Sequence, residues 1–185
     1  MGDVLTRLRR VSTTLSDAMV PHAFIGAMGR LAWGTVRATN DLDVQVAVAP
    51  KEWAACVDAL ATAGFRLDLE YGDTGPPPDN ARFYDDVGFR LDVMTDKTRF
   101  QQQVVARATV QRVLGTDILV ESPEDLVLYK LIASRPKDLD DIDDVLRTRH
   151  VAGLPVDWAY IEGHARDWDM LDAVQILRAQ FESPR

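Results

Sequence analysis

The chain has little cysteine and histidine, and it carries no long apolar run. Cys56 is the single cysteine in 185 residues, which excludes an intramolecular disulfide and a zinc site built from several cysteines. The three histidines are scattered, so a histidine-rich metal site is not expected. No run of about 18 apolar residues is present, so no membrane span is predicted. No apolar segment follows the N-terminal arginines as in a secretory signal, and we expect a cytoplasmic protein.

Positive charge is also scarce. Lys and Arg number 21 against 29 Asp and Glu, which gives a net charge of −8 and a pI near 4.8. Proteins that coat duplex DNA are strongly basic, so non-specific DNA binding is not expected, although a local basic patch is still allowed. The chain is 46% hydrophobic, which is enough for one core domain, with or without a small appendage.

The pattern of the chain changes near residue 120. Before it, we predict helices at 4–19, 27–33, 50–63 and 97–106, and strands at 23–25, 41–48, 65–71, 81–86, 88–94, 109–114 and 117–120. After it, only helices are predicted, the second over 137–149 with Leu139 on its inward side. We therefore predict an α/β (α+β) fold with a mixed sheet flanked by helices over residues 1–120, and a helical C-terminal segment over 121–185 that packs on it.

Three aspartates lie on predicted strands. Asp41 and Asp43 are two residues apart, so their side chains share one strand face about 7 Å apart. Asp92 lies on the polar face of a later strand. If the two strands are neighbours, three carboxylates converge, and oxygen ligands of this kind favour Mg²⁺ or Mn²⁺. Two such ions would support phosphoryl or nucleotidyl transfer. The alternative is the solvated face of a half-exposed strand.

Gly26 ends the first apolar strand and precedes a short predicted helix. A turn of this kind exposes backbone N–H groups at a helix N-terminus, where a phosphate binds favourably. The alternative is a plain turn from strand to helix.

Residues 24–46, FIGAMGRLAWGTVRATNDLDVQV, resemble the signature of the polymerase-β-like nucleotidyltransferase superfamily. That signature is an apolar residue, Gly, then Gly or Ser, a spacer, acid–apolar–acid on a strand, and a further acid on a later strand. Gly26, Asp41, Asp43 and Asp92 fall on these positions. The cadence Gly34, Arg37, Thr39, Asp41, Asp43 resembles the branch with abortive-infection, toxin–antitoxin and some antibiotic-modifying nucleotidyltransferases. Ala27 replaces the second small residue, and a glycine follows only at Gly29.

A second block supports the same resemblance. Residues 122–144, SPEDLVLYKLIASRPKDLDDIDD, are similar to the helical segment that follows the catalytic core in that branch. The resemblance implies that Lys130 and basic residues near Arg135 and Lys137 face a triphosphate. The alternative for Lys130 is a surface lysine whose stem packs on an apolar helix.

The resemblance implies a nucleotidyltransferase that moves a nucleoside monophosphate from an NTP, such as ATP, to an acceptor hydroxyl and releases pyrophosphate. Asp41, Asp43 and Asp92 would be catalytic and would hold two Mg²⁺ or Mn²⁺ ions. Gly26, Ala27, Arg37, Lys130 and Lys137 would bind the nucleotide. The acceptor stays open between tRNA, a protein and a small molecule, and an antitoxin partner is suggested by analogy. Two alternatives are a degenerate relative that binds a nucleotide or a partner without catalysis, and an unrelated α/β protein.

Overall fold

The computed structural model describes residues 2–34, 39–72 and 75–182. The predicted fold class is confirmed, because strands and helices alternate up to residue 120 and only helices follow. The helices are α1 Gly2–Asp17, α2 Ala27–Trp33, α3 Trp53–Thr62 (after a 3-10 turn at Pro50–Glu52), α4 Arg99–Arg107, α5 Pro123–Ala133, α6 Pro136–Val151, α7 Trp158–Asp167 and α8 Leu171–Glu182. The strands are β1 His22–Ile25, β2 Asp41–Val46, β3 Arg66–Tyr71, β4 Asn80–Tyr84, β5 Arg90–Thr95, β6 Thr109–Val113 and β7 Thr116–Val120.

The strands form one mixed sheet in the order β3-β4-β5-β2-β1-β7-β6. The central pair, β2 and β5, is parallel, and its register sets Asp43 opposite Asp92 and Asp41 opposite Arg90. Strand β1 runs antiparallel to β2 and ends with Ile25 opposite Asp43. The turn at Gly26 therefore begins beside the aspartates, at one end of the three central strands.

Two apolar clusters cover the two faces of the sheet. One packs α1 and α3 on the sheet and includes Leu15, Leu42, Leu60 and Phe83. The other packs the helical segment on the sheet and on α4, through residues such as Ile25, Phe100, Leu128, Ile142 and Trp158. Burial of side chains of this size stabilises the fold by about 2 kcal/mol each. The second cluster joins both parts of the chain, and their division near residue 120 stays a prediction.

Helix α6 departs from the predicted pattern. Leu139, predicted to face inward, is 60% exposed, whereas Asp138 and Asp141 are buried. Both acids form ion pairs with Lys130 of α5. The ion pairs with Lys130 therefore orient α6, and hydrophobic periodicity does not predict such a contact. Among the described residues, no helix is both long enough and apolar enough to cross a membrane.

Candidate active site

The three predicted aspartates lie together in a cleft of about 1360 Å³. Alternation along β2 directs Asp41 and Asp43 to the cleft, while Leu42 and Val44 are fully buried on the other face. The parallel register brings Asp92 of β5 directly beside Asp43. The cleft is also lined by Gly26, Ala27, Lys130 and Lys137. Arg37 lies outside the described residues, so its role stays a prediction.

Two arginines hold two of these carboxylates. Arg82 of β4 donates from Nε to Asp92 Oδ1 at 2.8 Å. Arg90 of β5 donates to Asp41 Oδ2, and its Nε lies 3.2 Å from Asp92 Oδ2. Sequence reasoning gave neither arginine a role, although the alternation of β5 already placed Arg90 on the face of Asp92.

Asp43 has no such partner. Within the part of the chain that the structure describes, no hydrogen bond to its carboxylate is formed. Burial, followed by repulsion from Asp41 and Asp92, raises the pKa of Asp43 to about 6. As the side chains stand, no three acidic, histidine or cysteine residues in the described ranges are grouped to chelate a metal, and Asp41 and Asp92 are directed to the arginines. The donor set nevertheless fits a divalent cation, because the three carboxylates carry a negative charge that the two arginines do not neutralise fully.

Gly26 is required by its contact with Asp43. Its φ is +62°, and a Cβ built on it would lie 2.9 Å from Asp43 Oδ2, so a larger residue would be both strained and crowded. Its N–H does not point to open space, since it donates to Glu121 Oε1 at 2.6 Å. In this conformation the N–H of Gly26 is therefore bonded to Glu121, whereas the resemblance implies that it binds a phosphate.

Glu121 is the functional candidate that sequence reasoning missed. It is fully buried at the end of β7, and burial followed by repulsion from Asp125 raises its pKa well above the usual range. Within residues 2–34, 39–72 and 75–182, its Oε2 has no hydrogen-bond partner. A Cβ on Gly29 would lie 2.3 Å from Glu121 Oε1, so this glycine makes room for the carboxyl group. The only sequence signal was an acid placed between an apolar strand and a helix cap.

The predicted basic residues lie across the cleft on α5 and α6. Lys130 Nζ lies 2.9 Å from Asp138 Oδ1 and 2.8 Å from Asp141 Oδ2, and its side chain is only 13% exposed. Burial acts to raise the pKa of Asp138, but hydrogen bonds from Arg135 and Lys130 outweigh burial and lower it to about 2. The ammonium group of Lys130 is therefore fixed by two ion pairs. Lys137, by contrast, is exposed at the cleft.

Aromatic side chains of α4 and of the helical C-terminal segment complete the cleft. Phe100 of α4, Tyr129 of α5 and His164 and Trp168 from α7 and its C-terminus line it. His164 stacks on Trp168 with ring centroids 5.3 Å apart. Sequence reasoning assigned no role to His164 and favoured helix packing for Trp168.

No family model matches the chain, and no curated protein matches it in sequence. Solved structures do match in shape. Solved nucleotidyltransferases, antibiotic-modifying ones among them, share this mixed sheet flanked by helices, so the predicted resemblance is confirmed for the fold.

Three solved structures illustrate the likeness. ANT(2")-Ia in complex with adenylyl-2"-tobramycin is 15% identical, covers 97% of each chain and has a TM-score of 0.57. The lincosamide antibiotic adenylyltransferase LnuA, bound to lincomycin, is 13% identical, covers 76% of this chain and 94% of its own, and has a TM-score of 0.56. An antigenic nucleotidyltransferase-like protein from Paracoccidioides brasiliensis is 17% identical, covers 74% of this chain and 72% of its own, and has a TM-score of 0.51.

Proposed function

We propose that this chain is a metal-dependent nucleotidyltransferase that transfers a nucleoside monophosphate from an NTP to an acceptor hydroxyl and releases pyrophosphate. The observation that carries the proposal is the parallel pairing that sets Asp43 beside Asp92, with Asp41 on the same face, in a deep cleft. The fold is shared with nucleotidyltransferases that modify antibiotics, which supports the reaction class and leaves the acceptor open.

Asp41, Asp43 and Asp92 are the residues that would hold two Mg²⁺ or Mn²⁺ ions. Bound there, the ions would stabilise negative charge on the attacking and leaving oxygens. The raised pKa of Asp43 supports this assignment, because a cation beside the carboxylate would favour its ionised form.

The reaction is an in-line displacement at the α-phosphorus. The acceptor oxygen forms a bond to the α-phosphorus, the bond from that phosphorus to the bridging oxygen of the β-phosphate breaks, and pyrophosphate leaves with the bonding electron pair. Asp92 takes the proton of the acceptor hydroxyl and passes it to solvent. Asp43 remains ionised throughout.

The triphosphate lies between the Gly26–Ala27 turn and the basic residues of α5 and α6. Lys130 is held by Asp138 and Asp141, so its ammonium group is positioned before the substrate arrives. Lys137 supplies an exposed positive charge at the same side of the cleft, and Arg37 is assigned here from the resemblance alone.

A second candidate function is a catalytically degenerate relative that binds a nucleotide or a partner protein, for example a component of a toxin–antitoxin pair. The N–H of Gly26 is engaged by Glu121, and Ala27 replaces a glycine or serine of the signature. Both features favour weakened phosphate binding and leave the aspartates intact.

A label-transfer assay tests the proposal. The full chain would be incubated with each α-³²P-labelled NTP, Mg²⁺ or Mn²⁺, and total RNA, lysate protein or a panel of small hydroxyl compounds. We expect transfer of label to one acceptor class, reduced at least about 1000-fold in Asp43→Asn. Asp68→Asn is the matched control, since Asp68 is exposed on β3 and does not line the cleft.

The other outcomes separate the two candidates. NTP binding that depends on a divalent cation and on Asp43, without label transfer to any acceptor, would favour the degenerate relative. Equal activity in Asp43→Asn and Asp68→Asn would refute the assignment of the site. Absence of NTP binding would refute the enzyme and a degenerate relative that binds a nucleotide, and would leave only a relative that binds a partner protein.

A further inference from the structure

Arg82 and Arg90 lie on the side of the aspartates that faces away from the phosphate-binding turn. In the sheet, β5 and then β4 lie on one side of β2, and β1, which leads to Gly26, lies on the other side. Arg82 pairs across strands with Asp92, and Arg90 pairs with Asp41. The carboxylates therefore separate the two arginines from the Gly26 turn. If the triphosphate lies at that turn, the arginines lie where the acceptor must approach.

The charge of the cleft differs from that of the whole chain. Seven basic and five acidic residues line it, although the chain carries a net charge of −8. The basic residues are Arg30, Arg82, Arg90, Arg99, Lys130, Arg135 and Lys137, and the acidic residues are Asp41, Asp43, Asp92, Asp141 and Asp167. Asp138 and Asp144 do not line the cleft but pair with Lys130, Arg135 and Arg30. The cleft is therefore less acidic than the whole chain, without a net positive charge, and this lower negative charge favours an anionic ligand.

The two arginines are accessible to a ligand. Their side chains are 31% and 39% exposed, and both line the cleft. In this conformation Asp41 and Asp92 serve as their counter-ions. When these carboxylates ligate a divalent cation, each guanidinium group needs another anion. A phosphate suits this geometry, because a guanidinium fork can donate two parallel hydrogen bonds to it.

We propose that Arg82 and Arg90 form an anion-binding subsite for the acceptor, and that the acceptor carries a phosphate group close to its attacking hydroxyl. The proposal rests on the proposed function and names its substrate class. A polycationic acceptor of the kind bound by ANT(2")-Ia would meet two guanidinium groups here, which disfavours it. The phosphate could belong to a small phosphorylated metabolite or to the end of an RNA strand.

Binding of defined probes tests the subsite without requiring turnover. The full chain would first be titrated calorimetrically with the α,β-methylene analogues of the four NTPs in Mg²⁺. The complex with the tightest analogue would then be titrated with ribose 5-phosphate, with the dinucleotide CpA, with ribose and with tobramycin. We expect a phosphate-bearing probe to bind at least 10-fold more tightly than ribose or tobramycin.

Substitution of the arginines assigns the subsite. Arg82→Gln and Arg90→Gln should each weaken binding of the phosphate probe about 10-fold, since each removes a charge-assisted hydrogen bond. Arg82→Lys should restore part of the loss because it keeps the charge and loses the fork. Arg112→Gln is the matched control, because Arg112 pairs with Asp117 on the surface outside the cleft. Melting temperatures would confirm that all variants are folded.

Each remaining outcome has a definite meaning. Tighter binding of CpA would assign the phosphate to an RNA end, and tighter binding of ribose 5-phosphate would assign it to a small acceptor. The proposal is overturned if ribose or tobramycin binds as well as the phosphate probes, or if no phosphate probe binds. It is also overturned if the arginine variants lose equal affinity for the NTP analogue. Failure of every NTP analogue to bind would instead refute the proposed function itself.

Discussion

Two regions of the molecule bury carboxyl groups against the sheet, and they treat the negative charge in opposite ways. The first, which we call the α1 anchor, comprises Arg7, Asp85, Val87 and Phe89. Arg7 donates from Nε to Asp85 Oδ2 at 2.5 Å. The N–H groups of Val87 and Phe89 donate to Asp85 Oδ1 at 3.1 and 2.8 Å. Burial alone would raise the pKa of Asp85, but these hydrogen bonds outweigh it and lower the pKa.

The second region, the cleft floor, comprises Gly26, Asp43 and Glu121. Here the pKa of both acids is raised, chiefly by burial. Among the described residues, these two carboxyl groups accept one hydrogen bond, from Gly26 N–H to Glu121. The cleft floor therefore lacks the donors that the α1 anchor provides for a buried charge of the same kind.

The difference distinguishes a carboxylate that the protein itself neutralises from carboxyl groups whose charge is left partly unsatisfied, of which Asp43 lines the cleft and the fully buried Glu121 does not. In the α1 anchor the protein itself supplies the counter-ion and the hydrogen bonds, so the charge adds to the free energy of unfolding. In the cleft floor the charge is left partly unsatisfied, and strongly perturbed pKa values in a cleft are typical of functional sites.

The largest effect on stability is expected from breaking the α1 anchor. Asp85→Ala should lower the free energy of unfolding by about 3 kcal/mol, because it removes the buried ion pair with Arg7 and the acceptor of two backbone N–H groups. Urea unfolding at pH 7 measures this loss. The folded fraction should retain nucleotidyl transfer, since Asp85 does not line the cleft.

Two controls make that comparison decisive. Asp117→Ala removes the acid of the exposed pair with Arg112 and should cost less than about 1 kcal/mol. Asp43→Asn should leave the free energy of unfolding unchanged or slightly increased, because it removes a carboxylate that its neighbours repel. A loss in Asp43→Asn as large as that in Asp85→Ala would contradict the distinction between the two regions.

The sequence was sufficient for features that local patterns determine. Alternation along β2 and β5 predicted which aspartates share a face. The order of strands and helices followed from periodicity and from turn residues. The convergence of the aspartates was predicted only on the condition that β2 and β5 are neighbours, which local patterns do not determine.

The features that were missed depend on long-range register. Arg82 contacts Asp92 because β4 pairs with β5, and nothing near Arg82 in the sequence indicates that pairing. Glu121 contacts Gly26 across 95 positions of the chain. Leu139 was predicted to be buried because periodicity counts apolar residues and ignores the ion pairs that turn Asp138 and Asp141 inward.

A second prediction examines the space that the cleft floor needs. Gly29→Ala should destabilise the protein by about 2 kcal/mol, because the new methyl group would collide with Glu121 Oε1. In a Glu121→Ala background the cost should fall by at least about 1 kcal/mol, and the double-mutant cycle measures that coupling. Gly163→Ala on α7 is the matched control. Apart from its chain neighbours and the backbone of its own helix, no atom of the described residues lies within 4 Å of its added Cβ, so alanine should stabilise this helix slightly. Additive effects of Gly29→Ala and Glu121→Ala would refute the steric assignment.

The smallest effect is a difference in pH dependence between the two regions. The folded-state pKa of Glu121 is raised above its unfolded value, so the wild-type protein loses stability as the pH rises above about 4.5, because Glu121 ionises in the unfolded state while it stays protonated in the folded state. Glu121→Gln keeps an acceptor for Gly26 N–H and has no carboxyl group to ionise, so its free energy of unfolding relative to wild type should increase by about 1 kcal/mol from pH 5 to pH 6.

Asp85 has a lowered pKa. The loss of stability in Asp85→Asn should therefore be complete above about pH 4 and should shrink as the pH falls further. Urea unfolding from pH 3.5 to pH 7 measures both slopes, and slopes of the same sign would mean that the cleft floor satisfies its buried charge as the α1 anchor does.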